Sequence, residues 1–324
     1  MEEIPFVRSV AIGVWVRAGS RYETEETNGI SHFLEHMFFK GTKTKSAKEI
    51  AESFDSIGGQ VNAFTSKEYT CYYAKVLDEK AEYALDLLAD MFFNSIFDET
   101  ELQKERNVVL EEINMYEDSP DDIVHELLSE ASFGKHALAK PILGTKETLL
   151  QFDRSTLEMY RDKFYTPENV VISVAGNITE DFISSIEEKF GKYETEYNKL
   201  EIQFPTFYTN KVMKQKDTEQ SHLCLGFAGL PYGDERIYEL AILNNTLGGS
   251  MSSRLFQEIR EKRGLAYAVF SYHSSFIDTG LLTIYAGTAP DQADLVYDTI
   301  VNTVQSMQED GITKRELEKS KSQL

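Results

Sequence analysis

Gly59-Gln60-Val61-Asn62-Ala63-Phe64 and Gly264-Leu265-Ala266-Tyr267-Ala268-Val269 are two versions of one stretch, one in each half of a 324-residue chain. Each starts on a glycine and continues as a short strand-like run. Working upstream, each is preceded by a run that reads as a strand, the apolar β-branched Val7–Val16 or Ser221–Ala228. A helix with a glycine stop comes next, Ile30–Phe39 before Gly41 or Arg236–Leu247 before Gly248-Gly249. A second helix follows, Ala47–Ile57 or Ser252–Glu261, and the first has the Ser46/Glu49 pattern of a capping box. Downstream come a strand (Tyr69–Leu77 or Gly280–Ala286) and a helix (Asp78–Phe93 or Gln292–Met307). Glu101-Leu102-Gln103-Lys104 is then answered by Glu316-Leu317-Glu318-Lys319. The spacing predicts an α+β fold, two homologous α/β domains in tandem.

The expected domains are 1–200 and 201–324, joined by a polar linker from Lys192 to Pro205. The first copy also holds helices at Thr100–Tyr116, Pro120–Ala131, Ser155–Phe164 and Glu180–Phe190, and a strand at Val170–Ala175. The second copy stops in mid-pattern at Leu324, so it is expected to be truncated at its C-terminal end. About two domains is also what the length suggests. No run approaches ~20 apolar residues, and Met1-Glu2-Glu3-Ile4-Pro5 has no signal-peptide pattern, so neither a membrane span nor secretion is expected. Two widely separated cysteines, Cys71 and Cys224, read as reduced thiols and point to a cytoplasmic protein.

The net charge of −21 excludes a nucleic-acid backbone as partner, because there is no basic surplus to neutralise phosphates. Residues 1–200 carry a balance of −17 and residues 201–324 one of −4. Such a surface aids solubility. Around a cleft it would also draw in cationic peptides.

The chemistry is concentrated in His32-Phe33-Leu34-Glu35-His36 on the first helix. Histidines at i and i+4 project from one face and can reach one metal ion, with Glu35 on the same side. This H-x-x-E-H order is that of an inverted zincin. A catalytic zinc needs a third protein ligand and an open position. The charged helix Thr100–Tyr116 offers one. Glu105 and Glu112 are seven residues apart and differ by about 20° in facing, whereas Glu111 is turned away. If that helix packs on the histidines, Glu112 can complete the metal site and Glu105 can brace a histidine ring. The second copy has no histidine in its matching helix, and Ser320 stands where Glu105 would be, so no metal is expected there. His125, His136, His222 and His273 have no partner at ligand spacing and are read as packing or surface residues.

The run Gly29-Ile30-Ser31-His32-Phe33-Leu34-Glu35-His36-Met37, with Gly41-Thr42 after it, resembles the active-site signature of the pitrilysin/insulinase family of zinc peptidases. The likeness is closest to the bacterial processing-protease branch, which is similar to the mitochondrial processing peptidase. It implies Zn2+ on His32, His36 and Glu112, with Glu105 behind them and Glu35 as general base and acid. It implies that Asn62, Ala63 and Phe64 form an edge strand to which a peptide adds. It further implies that Arg260 and Tyr267 support the substrate oxyanion from the non-catalytic domain. Family members pair two such domains into half of a clamshell, and a homodimer is the expected assembly. The branch usually carries another strand before Val7 and further residues after Leu324.

The expected function is therefore a zinc metalloendopeptidase acting on peptides or unfolded segments, cationic ones by preference. The alternative is a non-catalytic partner or scaffold subunit, which this family also contains but normally with a broken H-x-x-E-H. A zinc hydrolase of small molecules is the third possibility if the cleft is too narrow for a strand.

Overall fold

The computed structural model describes residues 1–191, 193 and 202–324, so most of the expected Lys192–Pro205 linker lies outside the described residues. The chain forms two compact units. One comprises Met1–Met115 with Lys140–Ile202, the other Tyr116–Ala139 with Gln203–Leu324. Segment 116–139 therefore belongs with the second unit and not with the rest of residues 1–200.

The first unit contains strands β1 (Glu2–Glu3), β2 (Ser9–Val16), β3 (Gln60–Thr65), β4 (Thr70–Leu77) and β5 (Val170–Gly176). They form one sheet in the order β1-β5-β2-β4-β3, antiparallel except for β1 against β5. Its helices include α1 (Ile30–Phe38), α2 (Ala47–Ser56), α3 (Ala81–Asn94) and α4 (Glu99–Asp118), whose last turn passes into the second unit. The strand-forming alternation of β2 turns Val10, Ile12, Val14 and Val16 inward, where Tyr72, Ala74 and Val76 of β4 join them. Phe33, Leu34, Met37 and Phe38 of α1 and Leu85, Leu88 and Met91 of α3 fill the same core. Burying each large side chain contributes about 1.5–3 kcal/mol, so α1 is held firmly against the sheet. The Ser46/Glu49 capping box of α2 is formed in both directions. The segment from Asp78 departs from the expected helix. Its first turn, Asp78–Lys80, is wound as a 3-10 turn that runs directly into α3, and the Asp78 carboxylate there is engaged by Arg8 and Asn177.

The second unit opens with α5 (Pro120–Phe133), whose proline sits in the first turn. The chain returns to the first unit for α6 (Lys146–Leu149), α7 (Arg154–Phe164) and α8 (Glu180–Phe190). The rest of the second unit is β6 (Ser221–Ala228), α9 (Ile237–Leu247), β7 (Ala266–Ser275), β8 (Gly280–Thr288), α10 (Ala293–Asp310) and α11 (Lys314–Gln323). Its sheet runs β6-β8-β7, all antiparallel. Leu247, Ile259, Val269, Ile284, Val296 and Ile300 lie at the centre of its core. Helix α5 packs on this sheet at Gly226, where an added Cβ would come within 2.9 Å of Leu128. The short helix expected at Ser252–Glu261 is wound instead as a π-helix over Phe256–Glu261, with Lys262 N donating to Gln257 O. No helix among the described residues is long and apolar enough to cross a membrane.

Candidate metal centre

Helix α1 carries the centre, and its N-terminus is built around two glycines. Gly29 (φ +93°) and Gly144 (φ +75°) face each other across a tight chain crossing. A Cβ on Gly29 would lie 2.6 Å from Leu143 O, and one on Gly144 would lie 2.4 Å from Asn28 O. A left-handed glycine offers no side chain to cap the helix. Glu23 does so from outside. Its Oε1 accepts from Ser31 N (2.9 Å), and its Oε2 from Gly29 N (2.7 Å) and Asn28 Nδ2 (3.0 Å).

One turn in, His32 and His36 lie side by side with ring centroids 4.6 Å apart. Glu112 of α4 approaches both, its Oε2 standing 3.7 Å from each Nε2. One ligand atom from each of the three residues falls within 4.8 Å of the others, and no other such group of three or more occurs among the described residues. Ligands bound about 2.0–2.1 Å from a tetrahedral ion stand roughly 3.3 Å apart, so this set closes on zinc with a small contraction. Glu111, by contrast, is exposed, as the facing arithmetic requires.

The surroundings tune each ligand. Burial pushes the His32 imidazole down to about 3, so it is a neutral donor. Its Nδ1 is buried with no partner among the described residues, unlike the usual bonded second nitrogen of a ligating histidine. His36 has that partner. Its Nδ1 is 2.8 Å from Glu105 Oε1, and the carboxylate accepts a hydrogen bond from Nδ1–H, which leaves Nε2 free to bind metal. Burial pulls His36 down, but this bond and the nearby carboxylates outweigh it and raise it. Lys40, one turn beyond His36, holds the other oxygen of Glu105 at 2.6 Å. Burial works against the Glu105 carboxylate, yet the His36 and Lys40 bonds keep it below its ordinary range. Burial raises both Glu35 and Glu112. A raised carboxylate beside a metal site suits proton transfer.

Asn62, Ala63 and Phe64 lie on β3, at the edge of the sheet. The ring of Phe64 is exposed on one face and meets Trp15 edge-on at 5.7 Å. In the second unit, Arg260 and Tyr267 come together with the guanidinium 4.7 Å over the phenol ring. Both stand on irregular backbone, Arg260 on the π-helix and Tyr267 at a register shift of β7. Such irregularities re-aim side chains and occur often at functional sites. Ser320 is buried and bonded to Asn245 and Thr246, a neutral cluster where the first unit has His36 and Glu105. His125 bonds Tyr272, His136 bonds Gln203 O and His222 bonds Tyr285.

Three participants were not evident from the sequence: Glu23, Lys40 and Thr65. The position of Lys40 at i+4 from His36 is a usable signal. Glu23 lies in a charged loop that looks like any other. Thr65, whose hydroxyl is 2.5 Å from Glu35 Oε2, is visible only once β3 is placed beside α1.

Two family models match the chain. Residues 1–146 match the insulinase model, peptidase family M16, and residues 151–324 match the peptidase M16 inactive domain. The chain is 64% identical over its whole length to a Bacillus subtilis protein named uncharacterized zinc protease YmxG, covering 79% of that protein. An uncharacterized zinc protease of Rickettsia felis is 45% identical over 99% of this chain and 78% of its own length. Among solved structures, a peptidase M16 inactive domain from Pseudomonas fluorescens superposes with a TM-score of 0.93 at 22% identity, over 99% of this chain and 79% of the other. A Helicobacter pylori protease gives 0.92 at 24% identity, over 100% and 80%. The last two likenesses bear on the fold, which is a tandem of two M16 domains.

Proposed function

This chain belongs to the insulinase family, peptidase family M16, and on that premise we propose that it is a zinc metalloendopeptidase that cleaves peptides or unfolded segments. The observation that carries the proposal is the convergence of His32, His36 and Glu112 on one point, with Glu35 on the same helix. A bound zinc ion would supply Lewis acidity and lower the pKa of a water to about 7. The protein's residues do the rest. Glu35 takes the proton from the attacking water and delivers it to the leaving amine. Glu105, held by Lys40, keeps the Nδ1 proton on His36 and its ring in place. The edge of β3 at Asn62–Phe64 offers main-chain groups to an extended peptide, which tolerates many sequences. Arg260 and Tyr267 are the groups proposed for the oxyanion, and the stacking of the guanidinium on the exposed phenol supports that role.

The substrates proposed are cationic peptides, on the −17 balance of residues 1–200. A homodimer in the cytoplasm completes the proposal, and the two unpaired cysteines suit a reducing compartment. The test combines metal analysis with digestion of a mixed peptide library at low and high salt. We expect one zinc per chain and cleavage abolished by a chelator and restored by zinc. We also expect a preference for basic peptides that fades with salt. Metal-independent cleavage would refute the zinc assignment, and a salt-independent preference would refute the electrostatic one.

A further inference from the structure

Thr65 is the last residue of β3, and the two-residue period of that strand puts Val61, Ala63 and Thr65 on its less exposed face. Asn62 and Phe64 point the other way. The Thr65 hydroxyl lies 2.5 Å from Glu35 Oε2. A hydroxyl has one proton to give, and a carboxylate can only accept, so the direction of this bond is fixed whenever Glu35 is ionised. The register supports it from behind. Thr65 pairs with Thr70 of β4, and their hydroxyl oxygens are 3.3 Å apart. Thr70 is fully buried and donates its own proton to Ala18 O at 2.9 Å. With that proton committed, Thr70 can only accept in its 3.3 Å contact with Thr65, and the shorter 2.5 Å bond to the charged Glu35 oxygen is the one that takes the Thr65 proton.

We propose that Thr65 is a positioning residue for the general base, fixing the Glu35 carboxylate by one oxygen and leaving the other for the attacking water. This inference rests on the metallopeptidase reading above. It adds a geometric link, because the strand proposed to receive the substrate is also the strand that holds the base. The scissile carbonyl and Glu35 are then referred to one rigid element. Displacements of about 1 Å in such an arrangement can cost a hundredfold in rate.

The test compares Thr65→Val, which removes the hydroxyl at nearly constant shape, with Thr65→Ser, which keeps it. Glu35→Gln and the wild type are measured beside them. Loss of a hydrogen bond to a charged group predicts a kcat about 10–100-fold lower for Thr65→Val. KM should stay within about twofold and zinc should remain at wild-type stoichiometry, since the bond acts on the base and not on binding. Thr65→Ser should recover most of kcat. The inference falls if Thr65→Val keeps wild-type kcat, if it loses zinc or raises KM instead, or if Thr65→Ser is as impaired as Thr65→Val. Wild-type kcat in Thr65→Val beside an inactive Glu35→Gln would remove this inference alone. An active Glu35→Gln would remove the assignment of the base on which it depends.

Discussion

Replacing Glu23 by Gln should loosen the N-terminus of the metal-binding helix without touching a metal ligand. Glu23 offers two oxygens to three buried N–H donors, from Gly29, Ser31 and the Asn28 side chain. Gln offers one oxygen and one NH2. In its better orientation the carbonyl stays at the Oε2 position and serves Gly29 N and Asn28 Nδ2. The NH2 then faces Ser31 N, and Ser31 is wholly buried, so water cannot replace the lost acceptor. One unsatisfied buried donor costs about 1–3 kcal/mol. If that cost appears as easier local opening, amide exchange at Gly29 and Ser31 should accelerate roughly 5- to 150-fold. The assay is hydrogen exchange resolved by mass spectrometry over residues 28–38, with α8 as an internal control. Zinc affinity should fall alongside, because Ser31 adjoins His32. Exchange in α1 that stays within about twofold of wild type would refute the capping argument.

Glu112→Gln should lower zinc affinity, measured by competition with a chromophoric chelator, whereas Glu111→Gln on the exposed side of α4 should leave it unchanged. In the second unit, Arg254 bonds Glu316 and holds its carboxyl down to about 2. The folded pKa lies below the unfolded one, so the stabilisation is present above the ordinary carboxylate range of about pH 4 and is lost as pH falls towards 2. The partly exposed pair should contribute about 0.5–1 kcal/mol. Melts of wild type and Glu316→Gln should therefore differ at pH 6 and converge near pH 2, and a constant gap would contradict this.

Some elements are legible in the sequence because a local signal and the tertiary context agree. Strand β3, helix α8 and strand β6 have the boundaries expected from alternation, capping and apolar spacing. The His32–His36 pair and the facing of Glu112 follow from helix geometry alone, given that α4 packs on α1. The failures share a cause, which is that the deciding partner is distant in sequence. Nothing within residues 120–133 says which core they join, and the answer lies at Gly226. The π-helix at Phe256–Glu261 has no composition that sets it apart from an α-helix. Glu23 acts through bonds to residues five, six and eight positions away and Thr65 through one bond to a residue thirty away, which no periodicity encodes.

Glu35→Gln separates metal binding from proton transfer most directly. Glu35 is not among the three metal-binding groups, so its replacement should leave one zinc per chain by elemental analysis, as in wild type. Hydrolysis of a quenched fluorescent peptide should fall by about 10²–10⁴-fold, the usual contribution of a general acid–base group. Zinc retained with turnover lost is the predicted result. Wild-type turnover in Glu35→Gln, or zinc lost together with activity, would contradict the central claim.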